Sequence, residues 1–317
     1  MIHAFSGGVG GAKLARGLAD VVQPSHLTIV VNTGDDFDYL GLRIMPDFDS
    51  VAYALAGLND TERGWGRADE TWQCRDALAA LGVDTWFSLG DRDLATHLLR
   101  ISLLKGGATA TDAAAEITRR MGIACRLVPM TDHPVNTMVV TESGELSFQE
   151  YFVRQRCEPA VAAFRFAGVN RATPSAAWFH TFKQGVSRGL ILCPSNPFVS
   201  IDPILSLAGV RGLLRRRVLP VVAVSPLVGG TSIKGPLAKM LTELGQRCDV
   251  LAIADHYADF LDGMVIDNRD AEFEPELRRR GLHVAVCDTM MVGREVSRSL
   301  ARVSLELLAH CGAKHAT

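Results

Sequence analysis

The chain has 317 residues, of which 48% are hydrophobic and 21% charged, so it is long enough for one large globular domain or two unequal ones. Its formal net charge of −2 means that it lacks the excess positive charge with which proteins bind DNA or RNA. Its seven cysteines lack metal-ligand spacing, and no apolar run reaches the roughly 18 residues of a membrane span. We therefore expect a cytoplasmic protein with free thiols that binds neither nucleic acid nor membrane.

The first segment predicts a strand, a glycine-rich turn and a helix. Four glycines follow the apolar run 2–5 within residues 7–11, and helical spacing resumes at Lys13. Glycines allow backbone N–H groups to approach an anion, which the positive end of the helix dipole also favours. The turn lacks the third glycine of the dinucleotide fingerprint and the Ser or Thr that follows lysine in a P-loop. We predict a phosphate or diphosphate site here; the alternative is a tight turn that binds nothing.

An acidic cluster follows the apolar, β-branched strand 27–31. Asp35 and Asp36 come directly after it, at the edge of a parallel sheet where ligands collect. Two carboxylates would repel a nearby phosphate, which favours a bridging Mg²⁺, although a solvated turn is the alternative. Asp47 and Asp49 extend the cluster, but Asp49 or the serine after it could instead cap the next helix.

The next segment contains a tryptophan that could contact a ligand, followed by a predicted strand and a predicted helix. Trp65 lies between glycines and is either a stacking surface for a ring-shaped ligand or a core residue. The apolar run 85–89 predicts a buried strand, and Asp93 the N-cap of a helix over 94–100. Arg92 could clamp a phosphate or pair with a neighbouring aspartate.

The pattern changes at residue 131, where alternating residues predict a β-hairpin with strands 136–141 and 146–153. We interpret 131–185 as an inserted α+β subdomain with a small aromatic core of its own. The flanking segments 1–130 and 186–317 alternate strands and helices, which predicts an α/β fold with a Rossmann-like, mostly parallel sheet flanked by helices. Its remaining predicted elements are helices 111–120 and 296–309 and strands 125–129, 190–193, 221–224, 250–254, 264–266 and 283–287.

Two later loops also reach the predicted ligand edge of the sheet. Prolines at both ends of the segment 194–197 stiffen it and present Ser195 and Asn196. The strand 221–224 likewise leads into a serine beside a proline, Ser225, at the ligand edge of the sheet. Lys234 follows in a second loop that contains glycine. The histidines show no ligand spacing, so we expect His97, His133 and His256 to be ordinary.

Taken together, these motifs resemble, in order over about the first 270 residues, the CofD family, the 2-phospho-L-lactate transferases of coenzyme F420 biosynthesis. The matching motifs are Gly7–Leu14, Asn32–Asp36, Pro46–Ser50, Gly64–Gly66, Leu89–His97, Pro194–Pro197, Ser225–Pro226 and Lys234–Pro236. Val9 and Ser50 stand where many members carry threonine, so neither is placed in the site.

The resemblance implies a transferase that moves a phosphorylated three-carbon acid from a guanosine diphosphate-linked donor to the terminal ribityl hydroxyl of the deazaflavin Fo. GMP is released and Mg²⁺ is required. Some similar members use an enolpyruvyl or phosphoglyceryl donor, and the sequence does not decide between these acids. A homodimer is the base-rate expectation.

The resemblance also implies roles for individual residues. The nucleotide-binding set is Gly8, Gly10, Gly11, Lys13, Ser195, Asn196, Pro197, Ser225 and Lys234. The Mg²⁺ set is Asp35, Asp36 and Asp49, and the Fo-binding set is Asp49, Arg92 and Thr96. Asp49, with Asp36 as the other candidate, is expected to accept the hydroxyl proton.

Two other functions remain open from the sequence alone. A non-catalytic nucleotide-sugar-binding regulator of the same superfamily would share the glycine turn and the acidic turn. An NAD-dependent oxidoreductase would share the opening strand, turn and helix, but the aspartates would repel its cofactor phosphates.

Overall fold

The computed structural model describes residues 1–184 and 187–315, and along most of it helices alternate with strands. In chain order they are β1 (Ile2–Ser6), β2 (Leu27–Val31), β3 (Phe37–Tyr39), β4 (Leu42–Ile44), β5 (Arg126–Pro129), β6 (Asn136–Thr141), β7 (Gly144–Ser147), β8 (Val161–Ala167), β9 (Gly189–Leu192), β10 (Val221–Val224), β11 (Leu227–Val228), β12 (Thr231–Ser232), β13 (Gly263–Asp267) and β14 (His283–Cys287).

The helices lie between these strands. They are α1 (Gly8–Val21), α2 (Pro46–Ala56), α3 (Gln73–Ala80), α4 (Asp91–Lys105), α5 (Ala110–Arg120), α6 (Ala176–Lys183), α7 (Asp202–Leu205), α8 (Val210–Arg215), α9 (Leu237–Glu243), α10 (Val250–His256), α11 (Glu274–Arg279) and α12 (Arg294–His315). Short 3₁₀ or π turns occupy Pro24–His26, Glu150–Arg154, Val169–Arg171, Pro197–Ile201 and Asn268–Phe273.

Seven parallel strands form the central sheet in the order β14-β13-β10-β9-β1-β2-β5. Helices cover both faces of the sheet, and successive side chains of each strand point to opposite faces, so both sets are buried. Ala4 therefore joins an apolar cluster with Leu14 of α1 and Leu300 of α12, whereas Phe5 joins a second cluster with Trp178 of α6. The predicted α/β, Rossmann-like architecture is confirmed.

The position of β1 determines where a ligand can bind. The chain leaves β1 through α1 to β2 on one side, and β9 pairs with β1 on the other side. The loops after β1 and β9 therefore lie side by side at the carboxyl edge of the sheet, the usual ligand position in open α/β folds.

The segment after residue 131 forms a separate antiparallel sheet in the order β7-β6-β8. The hairpin is as predicted, but its second strand ends at Ser147, whose hydroxyl donates to Glu150 (2.7 Å) as the chain turns into a helical turn. The expected separate core is wrong: Trp178 packs edge-on against Phe5 of β1, with ring centroids 5.4 Å apart. The proposed boundary at residues 185–186 lies outside the described residues.

Two predicted strands are not strands. The run 250–254 forms α10, whose N-cap Asp249 accepts a hydrogen bond from the backbone of Ala252 (3.0 Å). A short apolar run does not by itself distinguish a buried strand from a buried helix. The run 85–89 is irregular, and its Phe87 packs edge-on against Phe37 of β3 (4.9 Å between centroids) instead of joining a sheet.

Three helices begin earlier than predicted. α1 starts at Gly8, so its glycines lie within the first turns of the helix. α2 starts at Pro46, so Asp49 does not cap it. α4 starts at Asp91 after the N-cap Gly90, so Asp93 lies in its first turn. All seven cysteines are free, as expected. Within 1–184 and 187–315, no helix has the length and apolar character needed to cross a bilayer.

Candidate active site

A cavity of about 790 Å³ opens at the carboxyl edge of the sheet, where the loops after β1, β2, β9, β10 and β14 meet. Its volume is typical of a pocket for a small molecule or cofactor. The structure brings many predicted site residues into its lining: Gly8, Gly10, Lys13, Asp35, Asp49, Ser195, Asn196, Ser225 and Lys234. Five others do not line it: Gly11, Asp36, Arg92, Thr96 and Pro197.

The glycine turn and the loop after β9 form one unit. The Gly7 backbone donates to Ser195 Oγ (3.1 Å), and that hydroxyl donates to the Gly7 carbonyl (2.8 Å). A Cβ at Gly10 would overlap the carbonyl of Pro194, so only glycine permits this close approach. Gly8 has a φ of +63° and open space beside it, which leaves the start of α1 accessible from the cavity.

Asp47, which the sequence analysis placed in the acidic cluster but in none of the site sets, lies at the start of α1. It accepts hydrogen bonds from the Gly8 backbone (2.7 Å) and the Asn32 amide (2.9 Å). Burial nevertheless raises the pKa of Asp47 to about 6. The positive end of α1 is therefore partly balanced by a carboxyl group that titrates unusually high.

Two lysines face the same cavity. Lys13 Nζ donates to the Met291 carbonyl (2.9 Å), and burial lowers its pKa, with a further lowering by the charge of Lys234. Lys234 lies against Gly64, where a Cβ would overlap its ammonium group. The mutual repulsion of these two cations makes the space between them attractive to an anion.

The carboxyl groups of Asp35 and Asp36, after β2, are buried, and hydrogen bonds and nearby positive charges do not fully offset the cost of that burial. Burial raises the pKa of Asp35 well above its usual range, and the charge of Asp47 adds to this effect. Burial raises the pKa of Asp36 in the same direction, although Arg43 and Arg100 oppose it. The Oδ1 atoms of Asp35 and Asp36 have no hydrogen-bond partner in the described chain. Such orphaned oxygens are suitable ligands for a hard cation.

Asp49 does not join this pair. Its two carboxylate oxygens contact the guanidinium of Arg100, one of them at 3.0 Å, and the Arg100 side chain is only 1% exposed. Among the residues that the structure describes, no three His, Cys, Asp or Glu side chains are grouped to hold a metal ion. The three predicted Mg²⁺ ligands are thus not brought together, because a buried arginine already neutralises Asp49.

Sequence reasoning missed a polar face of α4. His97 is fully buried and lines the cavity, with Nδ1 2.9 Å from Arg100 Nη1 and Nε2 3.3 Å from Asp93 Oδ1. Burial opposes ionisation of Asp93, but His97 and a 2.5 Å hydrogen bond from Tyr53 lower its pKa. The expectation that His97 is ordinary is therefore wrong. The spacing of Asp93, His97 and Arg100, at i, i+4 and i+7, could have predicted this polar face, since these positions lie on one side of a helix.

Aromatic side chains form another part of the cavity wall. They are Trp65, Trp86, Phe87, Phe148 and Phe152. The Trp65 side chain is 45% exposed and has the Arg63 guanidinium 4.7 Å from its ring, which excludes the core alternative for this residue. Flat, partly exposed rings offer stacking surfaces to a planar ligand.

The predicted residues outside the lining have local roles. The Arg92 side chain is 54% exposed and lies 3.7 Å from Asp69, because the early start of α4 turns position 92 outward. Thr96 is buried within α4, and Pro197 begins the π turn after β9. Gly11 packs closely against Ser195.

Comparison with known proteins agrees with this geometry. The family model described as 2-phospho-L-lactate transferase CofD matches residues 2–303. The chain is 36% identical over 302 residues to a 2-phospho-L-lactate transferase of Methanosarcina mazei, covering 95% of this chain and 98% of that protein. It is 37% identical over 312 residues to a phosphoenolpyruvate transferase of Streptomyces griseus, covering 96% of this chain and 98% of the relative.

A similar fold occurs in a crystal structure of a UPF0052 family member from Bacillus halodurans. The TM-score is 0.62 at 14% identity, with 96% of this chain and 98% of that chain covered. This likeness supports the fold, and the family match over nearly the whole chain supports the activity class. The chain is therefore a transferase and belongs to the CofD family of 2-phospho-L-lactate transferases.

Proposed function

We propose that the chain transfers a phospholactyl-type group from a guanosine diphosphate-linked donor to the terminal ribityl hydroxyl of Fo, as a step of coenzyme F420 biosynthesis. The transferred acid is 2-phospho-L-lactate or its enolpyruvyl or 3-phosphoglyceryl equivalent. The hydroxyl oxygen forms a bond to the phosphorus that carries the acid, the diphosphate bridge breaks, GMP leaves and the hydroxyl proton is released. The product is F420-0 or its dehydro form.

The observation that carries the proposal is the pair of lysines beside the first turn of α1. Lys13 and Lys234 face one cavity, and burial first and the charge of Lys234 second lower the pKa of Lys13. A diphosphate would relieve the repulsion between these two cations and accept hydrogen bonds from N–H groups of the first turn beyond Gly8, whose own N–H donates to Asp47. Ser195 and Asn196, which line the same cavity, would contact the nucleotide.

The acceptor would occupy the aromatic part of the cavity. A deazaflavin is planar, and Trp65, Trp86 and Phe87 provide rings on which it could stack. Asp49 also lines the cavity and contacts Arg100, and in this proposal its carboxylate accepts a hydrogen bond from the attacking hydroxyl. In-line attack on a diphosphate depends mainly on such positioning and on charge neutralisation.

The residues after β2 fit Mg²⁺ in part. Asp35 lines the cavity and Asp36 lies beside it in sequence, and each has a buried carboxylate oxygen without a hydrogen-bond partner in the described chain. We propose that these two aspartates hold the ion, which would supply positive charge to the diphosphate. Asp36 does not line the cavity, so in this proposal it contacts the ion and not the substrate.

The proposal is tested by incubating the protein with Fo, Mg²⁺ and each of the three guanosine-linked donors. Mass spectrometry should detect GMP and one phosphodiester of Fo, and the preferred donor identifies the acid. An Asp49→Ala variant should lose most turnover and still bind GDP. Absence of product with every donor would refute the proposed function, and unchanged turnover in Asp49→Ala would refute only the role of Asp49.

A further inference from the structure

We infer that His97 binds the acceptor substrate directly, by donating a hydrogen bond from Nε2–H to one of its oxygens, and that Arg100 is the positioning residue that fixes this proton on Nε2. The inference rests on the proposed function for the identity of the acceptor. It adds a specificity-determining residue to the site, one that neither the sequence motifs nor the comparisons assign to a role.

The tautomer follows from the chemistry of the arginine. Arg100 Nη1 lies 2.9 Å from His97 Nδ1, and a guanidinium has only donors. Nδ1 must therefore accept, so a neutral imidazole carries its proton on Nε2. Arg100 cannot move freely to release this contact, because the same guanidinium also holds both oxygens of Asp49.

The proton on Nε2 has no well-aligned hydrogen-bond partner within the described chain. Nε2 is buried and makes no hydrogen bond in the described chain, although Asp93 Oδ1 lies 3.3 Å away. That oxygen already accepts the hydroxyl of Tyr53 at 2.5 Å. Buried polar groups are almost always hydrogen-bonded, so an unpaired N–H needs an explanation.

The cavity supplies that explanation. His97, Asp93, Tyr53 and Asp49 all contribute to its lining, so a molecule bound there would lie against the imidazole that carries the unpaired N–H. The partner must offer a lone pair, which a ribityl hydroxyl or a ring carbonyl oxygen of a deazaflavin does. Because Nε2 already carries the proton, His97 orients the acceptor and does not remove the proton of its hydroxyl.

The arrangement makes a direct spectroscopic prediction. In wild-type protein labelled with ¹⁵N-histidine, the resonances that disappear in His97→Gln belong to His97. They should show Nε2 protonated and Nδ1 unprotonated, and addition of Fo should shift the Nε2–H resonance. A proton on Nδ1, or an Nε2–H resonance that ignores Fo while Fo binds, would overturn the inference.

Binding measurements separate hydrogen bonding from packing. His97→Leu lacks any donor, whereas His97→Gln keeps a side-chain N–H that reaches a similar position. Calorimetric titration should show Fo binding weakened about 10-fold or more in His97→Leu, largely restored in His97→Gln, and GDP binding unchanged in both. Equal Fo affinity in wild type and His97→Leu would overturn the inference, as would equally weak binding by a folded His97→Gln.

The wild-type titrations distinguish this failure from failure of the proposed function. Wild-type protein that binds GDP but not Fo would refute the proposed acceptor, and the role of His97 with it. Wild-type protein that binds Fo and turns it over, together with unaffected His97 variants, would refute the role of His97 alone.

Discussion

Helices α1 and α4 both border the cavity with their first turns, but they bury opposite kinds of side chain. Each follows a glycine N-cap, Gly7 in one case and Gly90 in the other. α1 buries an apolar stripe that includes Leu14 and Leu18. α4 buries only Thr96, His97 and Arg100, while its Leu98 is 52% exposed.

The difference shows two ways in which a helix that borders the cavity is kept in position. α1 is fixed by hydrophobic burial between the sheet and its neighbours α2 and α12, which leaves its glycine start free to shape a binding surface. α4 is fixed by charge pairing with Asp49 of α2, which costs desolvation but keeps ionised groups at the cavity wall. The first wall is therefore held by apolar burial and the second by a buried ion pair.

The largest expected effect is on the charged side of this comparison. Arg100→Met leaves the Asp49 carboxylate buried without its cation, which should reduce the free energy of unfolding by about 4 kcal/mol. Urea denaturation of the purified variant measures the change. Adding Asp49→Leu should restore much of the loss, because the uncompensated charge is then removed. A loss below about 1 kcal/mol in the single variant would show that α4 does not depend on this pair.

A slightly smaller loss is expected on the apolar side. Leu14 is fully buried on α1, so Leu14→Ala should lower the free energy of unfolding by roughly 3 kcal/mol through lost transfer energy and a residual cavity. The same denaturation experiment checks it, and GDP affinity should change little in the folded variant. A near-neutral result would mean that α1 is not anchored by its apolar stripe.

The start of α1 should show a pH dependence that α4 does not share. The pKa of Asp47 is about 6 in the folded protein against 3.8 for an ordinary aspartate, so the folded state holds the proton more tightly. The stabilisation from this proton is complete below pH ~4 and is lost as pH rises through ~6, by about 3 kcal/mol in total. Asp47→Asn should flatten this part of the stability profile, while Asp35 and Asp36 still contribute in the same direction. Identical profiles for variant and wild type would contradict the assignment.

The smallest effect is expected at the exposed leucine of α4. Leu98→Ala should alter the free energy of unfolding by no more than about 0.5 kcal/mol, because the side chain is half exposed and fills no core space. This variant is the matched control for Leu14→Ala. A loss comparable to that of Leu14→Ala would mean that the apolar face of α4 is covered in solution.

The same contrast explains what could be predicted from the sequence. The burial of β2 and the glycine start of α1 follow from local composition, which continuous apolar runs and glycine clusters report directly. The burial of His97 and Arg100 could not be predicted in this way, because isolated polar residues in a helix usually face solvent. The ion-pair partner of Arg100, Asp49, lies 51 positions away in the sequence. Only tertiary contacts reveal that these residues point inward.

Two further failures have the same origin. Whether the run 250–254 becomes a strand or a helix depends on Asp249, whose capping hydrogen bond favours α10 over a strand. Whether the run 85–89 joins a sheet depends on an edge to pair with, and it packs on β3 through Phe87 instead. Arg92 illustrates a third limit, since a shift of the start of α4 decides which way that side chain points.

A crystal structure with GDP tests the central claim most directly, because the claim is that Lys13, Lys234 and the start of α1 form a diphosphate site. The account predicts diphosphate oxygens within hydrogen-bonding distance of both lysine Nζ atoms, with the nucleotide along Ser195 and Asn196. A nucleotide bound elsewhere, or a diphosphate that contacts neither lysine, would contradict it.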